Sequence, residues 1–273
     1  MCDEATWLAL VEASWRLGDR PLKLIAPNMR GDDVGALQSQ LGKLGFDCGR
    51  VDGIFGHRTD RALQDFQRNC GLEADGVCGP ATARAIDAIS SQTGSGPGVA
   101  TLREIEQLGS VAASLADMRI VVGQFGGLSS LTRSVAQELR AGGAKVIAVD
   151  ELDPSFQATA ANRHAASVYL GFEAHAEPAA TISYYSTEGF ESAGGRSLAC
   201  QLVARIDDTG VLPGARAAGM RLSVLRETRM TAVVCSLGPV QHVTDAAGVL
   251  SDAVIAALGA WAQSPTLLEP AET

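Results

Sequence analysis

Residues 34–56 read VGALQSQLGKLGFDCGRVDGIFG, and residues 57–86 continue as HRTDRALQDFQRNCGLEADGVCGPATARAI. Val34, Leu37, Leu41 and Leu44 recur at the three- and four-residue spacing that places side chains on one face of a helix. Asp32 or Asp33 stands where a helix N-cap is expected, and Gly45 stands where the helix should end. This segment therefore predicts an amphipathic helix followed by a sharp turn.

Two further helices are predicted downstream, each after an Asp-Gly pair that favours a turn. Thr59 can cap the second helix, and Pro80 occupies the favoured first position of the third. The apolar residues expected to face inward are Ala62, Leu63, Phe66, Ala85, Ile86 and Ile89. The pattern predicts a small all-α domain of three helices.

The ordered glycines, Asp-Gly pairs and leucines between Leu41 and Thr82 resemble the peptidoglycan-binding repeat of bacterial wall enzymes. Most of these residues have a structural reason to be present. Contacts to a glycan strand are expected from polar or aromatic groups near the turns, and the candidate ligand-binding residues are Asp52, Phe55, Arg58 and Asp60. A glycan presents hydroxyls and amides, so hydrogen bonds and ring stacking should hold it, not net charge.

The start of the chain echoes the end of this repeat. Cys2-x-x-Ala5-Thr6 matches Cys78-x-x-Ala81-Thr82 at an offset of 76 residues, which indicates the remnant of a preceding copy or a chance similarity. The expected organisation is a repeat remnant (1–18), a peptidoglycan-binding domain (19–90), a linker with a connector helix (91–118), a second domain of α/β type (119–264) and a tail (265–273).

The C-terminal part alternates short β-rich runs with amphipathic helices. Strands are predicted at 119–123, 145–149, 167–172, 181–186 and 232–237, and the longest helical patterns surround Leu198 and Ala253. Such alternation is typical of a mainly parallel central sheet that is covered by helices.

The order of these elements and the Gly126-Gly127 turn resemble the zinc-dependent N-acetylmuramoyl-L-alanine amidase domain. That family cleaves the bond between muramic acid and the stem peptide, using metal-binding His and Glu residues and a catalytic Glu. In this sequence, Phe125 and Glu173 stand at the positions of the two metal-binding histidines. Leu128 stands at the position of the metal-binding Glu, and Ser236 at that of the catalytic Glu. Phe and Leu cannot coordinate zinc, so the resemblance implies a degenerate site with no catalytic residue and no cofactor.

An alternative is an active N-acetylmuramoyl-L-alanine amidase with an unusual metal site. Glu173 and His175 lie two residues apart, and His242 follows a later strand, so these three are the weak candidates for zinc ligands. Catalysis by Ser236 with a histidine is disfavoured because no GxSxG sequence surrounds the serine.

Composition excludes several classes of protein. The net charge is −9 and no basic stripe occurs, so nucleic-acid binding is not expected. No apolar run is long enough for a membrane span. The six cysteines contain no CxxC pair, which favours free and mostly buried thiols over a zinc site, although a Cys70–Cys78 disulfide is possible in an exported protein.

Two further stretches, ATWLALVEASWRLG at 5–18 and GDDVGALQ at 31–38, extend the resemblance. With them, the combination of domains resembles actinobacterial amidase-like regulators, some of which act on peptidoglycan precursor synthesis inside the cell. The resemblance implies a non-catalytic protein that binds peptidoglycan or a muropeptide precursor, with an enzyme of peptidoglycan synthesis as a possible partner. A cytoplasmic location is expected, and a wall-associated one if an export signal is missing from the start. A purely structural or wall-anchoring role is a third hypothesis.

Overall fold

A computed structural model describes residues 15–90, 98–111, 114–187 and 190–266. The chain forms two compact units, of which one comprises Met1–Arg103 with Thr187–Phe190 and the other comprises Glu104–Ser186 with Glu191–Thr273. The echo at Cys2–Thr6 lies outside the described residues. Within them, no helix has the length and apolar character that a membrane crossing requires.

The N-terminal unit contains the three predicted helices, namely α1 (Asp32–Lys43), α2 (His57–Asn69) and α3 (Pro80–Ser90). Their apolar faces meet in one core, so the three-helix prediction is confirmed. The buried side chains of this core are Leu22, Val34, Leu37, Leu41, Cys48, Phe55, Ala62, Leu63, Phe66, Cys78 and Ile86. Each face follows the three- and four-residue spacing of the sequence, because burial of apolar surface is what stabilises short helices.

The connector helix, α4 (Val99–Gly109), lies where a helix was expected. Its apolar face is not buried uniformly, however. Leu102 and Ile105 are exposed by 53% and 44%, whereas Leu108 is buried.

The second unit is an α/β domain. Its strands are β1 (Arg119–Gln124), β2 (Lys145–Asp150), β3 (Val168–Ala174), β4 (Ala179–Thr187), β5 (Phe190–Glu191), β6 (Arg216–Met220) and β7 (Thr231–Gly238). Its helices are α5 (Ser129–Ala141), α6 (Pro154–Arg163), α7 (Ala193–Asp208), α8 (Ser223–Glu227), α9 (Val240–Asp245) and α10 (Ala247–Gln263). The strands β5 and β6 and the short helices α8 and α9 were not predicted, because their sequences carry no clear periodicity.

The sheet has the strand order β2-β1-β3-β7-β4-β5 in the described part of the chain, and β6 pairs with β4. The four strands β2, β1, β3 and β7 are parallel, and β4 runs antiparallel to β7. The predicted α/β fold with a mainly parallel sheet is therefore confirmed.

The side chains of alternate residues in the central strands point to opposite faces of the sheet, where they are buried against different helices. Ile120, Val122 and Leu170 join a core that includes side chains of α5, α7 and α10. On the other face, the hydroxyl of Tyr169 donates to Oε1 of Gln157 in α6 at 2.6 Å. Both faces of the sheet are thus covered, as a mainly parallel sheet requires.

The five described cysteines carry free thiols, so Cys70 and Cys78 are not joined by a disulfide. Cys48, Cys78 and Cys235 are buried, and Cys70 and Cys200 are partly exposed. The expectation of mostly buried thiols agrees with this arrangement. Cys2 lies outside the described residues.

Candidate functional site

Three neighbouring parallel strands bring their carboxyl ends to one edge of the sheet. β3 lies between β1 and β7, with Gln124 beside Phe172 and Glu173 beside Ser236. In open α/β sheets, this edge is where ligands bind. The residues that match the amidase motifs therefore belong to elements that end near one another.

Phe125 leaves the end of β1, and its backbone N–H donates to the carbonyl of Phe172 at 2.9 Å. The chain then turns through Gly126 and Gly127, whose φ angles are 96° and 82°. A Cβ at Gly127 would lie 2.8 Å from Cβ of Ala174, so glycine is required there for both conformation and space. The turn resembles the family motif in its glycines but presents a partly buried phenyl ring instead of an imidazole.

Leu128 does not face this edge. It is completely buried and forms part of the core below α5, which begins at the next residue. The exposed residue Ser129 lies nearer the strand end, and its hydroxyl is 3.1 Å from Nε2 of Gln124. Leu128, predicted to occupy the position of a metal-binding Glu in a degenerate site, therefore directs its side chain into the core.

Glu173 and Ser236 form a direct contact across β3 and β7. The Ser236 hydroxyl donates to Oε1 of Glu173 at 3.2 Å, and both side chains are partly buried. A carboxylate that accepts a hydroxyl proton in a hydrogen bond can bind a polar ligand group.

The two nearby histidines do not complete a metal site. The imidazole of His175 is exposed, and its Nδ1 lies 3.2 Å from both the N–H and the carbonyl of Glu177. His242 lies on the exposed surface of α9. Across residues 15–90, 98–111, 114–187 and 190–266, no three His, Cys, Asp or Glu side chains are gathered closely enough to hold a metal ion. Glu173, His175 and His242 therefore do not fit the three protein ligands of a catalytic zinc.

In the N-terminal unit, Asp52 is engaged in holding its own turn. Its Oδ1 accepts from the amide of Gln38 and from the backbone N–H of Ile54, both at 2.9 Å. Oε1 of the buried Gln38 also accepts from the N–H of Gly53 at 2.9 Å. Asp52 therefore has a structural role in its turn, and its contact with a ligand stays a prediction.

The second Asp-Gly turn repeats this arrangement, which the sequence analysis did not detect. The amide of Gln67 donates to Oδ1 of Asp75 at 2.8 Å, and its Oε1 accepts from the N–H of Gly76 at 3.0 Å. The signal is present in the sequence, since DGIFGHRT and DGVCGPAT share the pattern Asp-Gly-x-x-Gly-x-x-Thr at an offset of 23. The N-terminal unit is thus built from two related turn–helix elements.

The remaining ligand-binding candidates differ in exposure. Phe55 is completely buried in the core, so its ring has no surface for a sugar, and this candidate is corrected. Arg58 is exposed at the start of α2 and lies beside Gly49. Asp60 is partly buried beside Gly76 and accepts from Gln64 at 2.9 Å. Arg58 and Asp60 therefore border two different turns.

Comparison with known proteins adds three findings. Residues 30–86 match the model of a putative peptidoglycan binding domain. The chain is 47% identical over 121 residues to the N-acetylmuramoyl-L-alanine amidase CwlM of Mycobacterium tuberculosis, a match that covers 44% of this chain and 29% of CwlM. It is 42% identical over 64 residues to a spore cortex-lytic enzyme of Bacillus cereus, covering 23% of this chain and 25% of that enzyme.

Among solved structures, the amidase AmiC2 of Nostoc punctiforme aligns with 51% of this chain and 93% of its own, at 17% identity and a TM-score of 0.42. The matched region spans less than a third of the length of each of the two sequence relatives. The comparisons therefore identify residues 30–86 as a match to the putative peptidoglycan binding domain, in a chain that is similar over part of its length to an N-acetylmuramoyl-L-alanine amidase.

Proposed function

We propose that this protein binds peptidoglycan or a muropeptide precursor and does not cleave it. In this proposal it acts as a regulator or scaffold in cell-wall metabolism. The N-terminal unit recognises the wall fragment, and the strand ends of the α/β domain hold a ligand or an enzyme of peptidoglycan synthesis.

The observation that carries the proposal is the chemistry of the strand ends. Phe125 and Leu128 offer no atom that binds zinc, and Leu128 also faces the core. Glu173 contacts a serine hydroxyl instead of a second metal ligand. Metal-assisted hydrolysis needs a gathered set of metal ligands, and no three His, Cys, Asp or Glu side chains are gathered in the described part of the chain.

Two measurements, zinc content and cleavage of sacculi, test the proposal that the strand ends neither bind zinc nor hydrolyse peptidoglycan. After exposure of the whole chain to zinc and dialysis, elemental analysis should find less than about a tenth of an equivalent. Incubation with purified sacculi should release no stem peptide. One bound equivalent that is lost in Glu173→Ala or His175→Ala, together with release of peptide, would establish an active amidase and overturn the proposal.

Retention on sacculi tests the binding role separately. Arg58→Ala should lower the retained fraction severalfold, because an exposed guanidinium beside a turn can hydrogen-bond to glycan hydroxyls and amides. Arg61→Ala, which changes an exposed arginine of the same helix, is the matched control and should retain normal binding. Equal retention of both variants would remove Arg58 from the site, and no retention of the unaltered protein would reject wall binding.

A further inference from the structure

β2 is the outer strand of the sheet, and it is unusually open for a strand of a parallel sheet. It pairs with β1 on one side, and no described strand pairs with its other side. Four of its six residues are exposed, among them Ile147 at 40%. The unpaired backbone N–H and C=O groups of an edge strand can pair with a strand of another chain unless side chains or a bulge prevent it.

The direction of the backbone groups follows from the register. The N–H of Lys145 donates to the carbonyl of Met118 at 3.0 Å, so Lys145, Ile147 and Val149 direct their backbone groups toward β1. The alternate residues Val146, Ala148 and Asp150 direct theirs toward the free edge. In agreement, the guanidinium of Arg140 reaches the carbonyl of Val146 at 3.1 Å from the open side.

Charges are separated along this edge. Arg140 and Lys145 lie at its start, whereas Asp150 and Glu151 lie at its end, and all four are exposed. Arg140 and Asp150 line the same groove of about 230 Å³ between β2 and α5. An edge that is basic at one end and acidic at the other is complementary to its own antiparallel copy.

We propose that two copies of this chain associate through β2, antiparallel and centred on Ala148. This register sets Ala148 against Ala148 of the second copy and Val146 against Asp150 of the second copy. The outward-facing residues then form the hydrogen-bonded pairs, and the residues between them form the non-hydrogen-bonded pairs of an antiparallel ladder. The Val146 carbonyl has two lone pairs, so it can accept from Arg140 and from the second copy's N–H.

Side chains also match in this register on both faces of the sheet. On the α5 face, Asp150 of the second copy comes beside Arg140. On the opposite face, Glu151 of the second copy stands opposite Lys145, and Val149 of the second copy covers the exposed Ile147. The two-fold axis repeats every contact, as in any isologous dimer.

Sedimentation equilibrium of the whole chain, at concentrations up to about 1 mM, measures the association. Arg140→Glu places two like-charged pairs in the dimer and should raise the Kd by about tenfold or more. Asp150→Arg should do the same. An equimolar mixture of the two variants should recover the original Kd. In the mixed dimer, the introduced glutamate of one copy faces the introduced arginine of the other, and the unaltered Asp150 of the first copy faces the unaltered Arg140 of the second.

Two controls keep the outcome clear. Arg205→Glu reverses an exposed charge on α7, away from the edge, and should leave the Kd unchanged. Ala148→Pro removes an outward-facing N–H that the single copy does not need for pairing with β1, so it should abolish association and leave the circular dichroism spectrum native. A chain that stays monomeric throughout, or variants that fail to recover on mixing, would overturn the proposal.

Discussion

At the scale of single residues, two buried glutamines organise the N-terminal unit. Gln38 and Gln67 each donate to an aspartate and accept from the glycine that follows it. Each amide also reaches a buried threonine, Thr59 at 3.1 Å and Thr82 at 3.4 Å. A single side chain therefore satisfies several polar groups that the core would otherwise leave without partners.

Replacement of either glutamine should be costly. We expect Gln38→Ala and Gln67→Ala each to lower the free energy of unfolding by about 2–3 kcal/mol, because buried donors and acceptors lose their partners. Gln64→Ala, which removes a partly exposed contact on the same helix as Gln67, should cost less than about 1 kcal/mol. Urea denaturation followed by circular dichroism measures the difference. Similar losses in all three variants would contradict the structural role.

At the scale of elements, β1 and β3 are held by a buried network beneath α6. The amide of Gln157 donates to the carbonyls of Gln124 and Glu151 at 2.9 Å and 2.5 Å, while its oxygen accepts from Tyr169. Burial raises the pKa of the Tyr169 hydroxyl far above its usual value, so it remains a donor. This network fixes the end of β1 immediately before the glycine turn.

Gly123 lies against this network, and because it has no side chain, Gln157 and Tyr169 have room to pack there. A Cβ there would overlap Oε1 of Gln157 and lie 2.7 Å from the Tyr169 hydroxyl. We expect Gly123→Ala to destabilise the α/β domain by about 1–3 kcal/mol through overpacking. Gly259→Ala, in helix α10 with no atom within 4 Å of the new Cβ, should instead stabilise it by up to about 1 kcal/mol. Thermal unfolding should show a lower midpoint temperature for Gly123→Ala and a higher one for Gly259→Ala. Equal shifts of the midpoint in both variants would contradict the packing argument.

At the scale of the whole molecule, each unit has its own core. Each core contains at least one buried thiol, and the reactivity of that thiol indicates whether the core is folded. Cys48 and Cys78 lie in the helical core, and Cys235 lies in the sheet. Burial raises the pKa of each of these thiols to about 12. The thiolate, which is the reactive form, is therefore scarce in the folded protein.

Alkylation mapped by mass spectrometry should separate the two cores. At pH 8 and without denaturant, Cys48, Cys78 and Cys235 should stay unmodified, whereas the unfolded thiols, with a pKa of about 8.5, should react readily. Because the folded pKa is raised, each thiol favours the native state most below pH about 8.5, and this contribution falls as the pH rises further. Rapid modification of Cys235 in the native protein would show that the sheet core opens more easily than its packing implies.

The sequence by itself determined the fold class of both units. Helical spacing from Val34 to Leu44, Asp-Gly turns and the alternation of strands with helices are local patterns, and local patterns persist in the folded chain. Through the resemblance to the amidase motifs, it also predicts that Phe125 and Ser236 stand where zinc hydrolysis needs a histidine and a glutamate.

Only the tertiary structure decided which of the candidate side chains are exposed and which face the core. Phe55 and Leu128 are buried, and Asp52 is tied to its own turn, because the backbone around each turn sets the direction of the side chain. The contact of Glu173 with Ser236 and the free edge of β2 depend on the strand order. That order arises from pairing between residues far apart in the chain, which no local periodicity encodes.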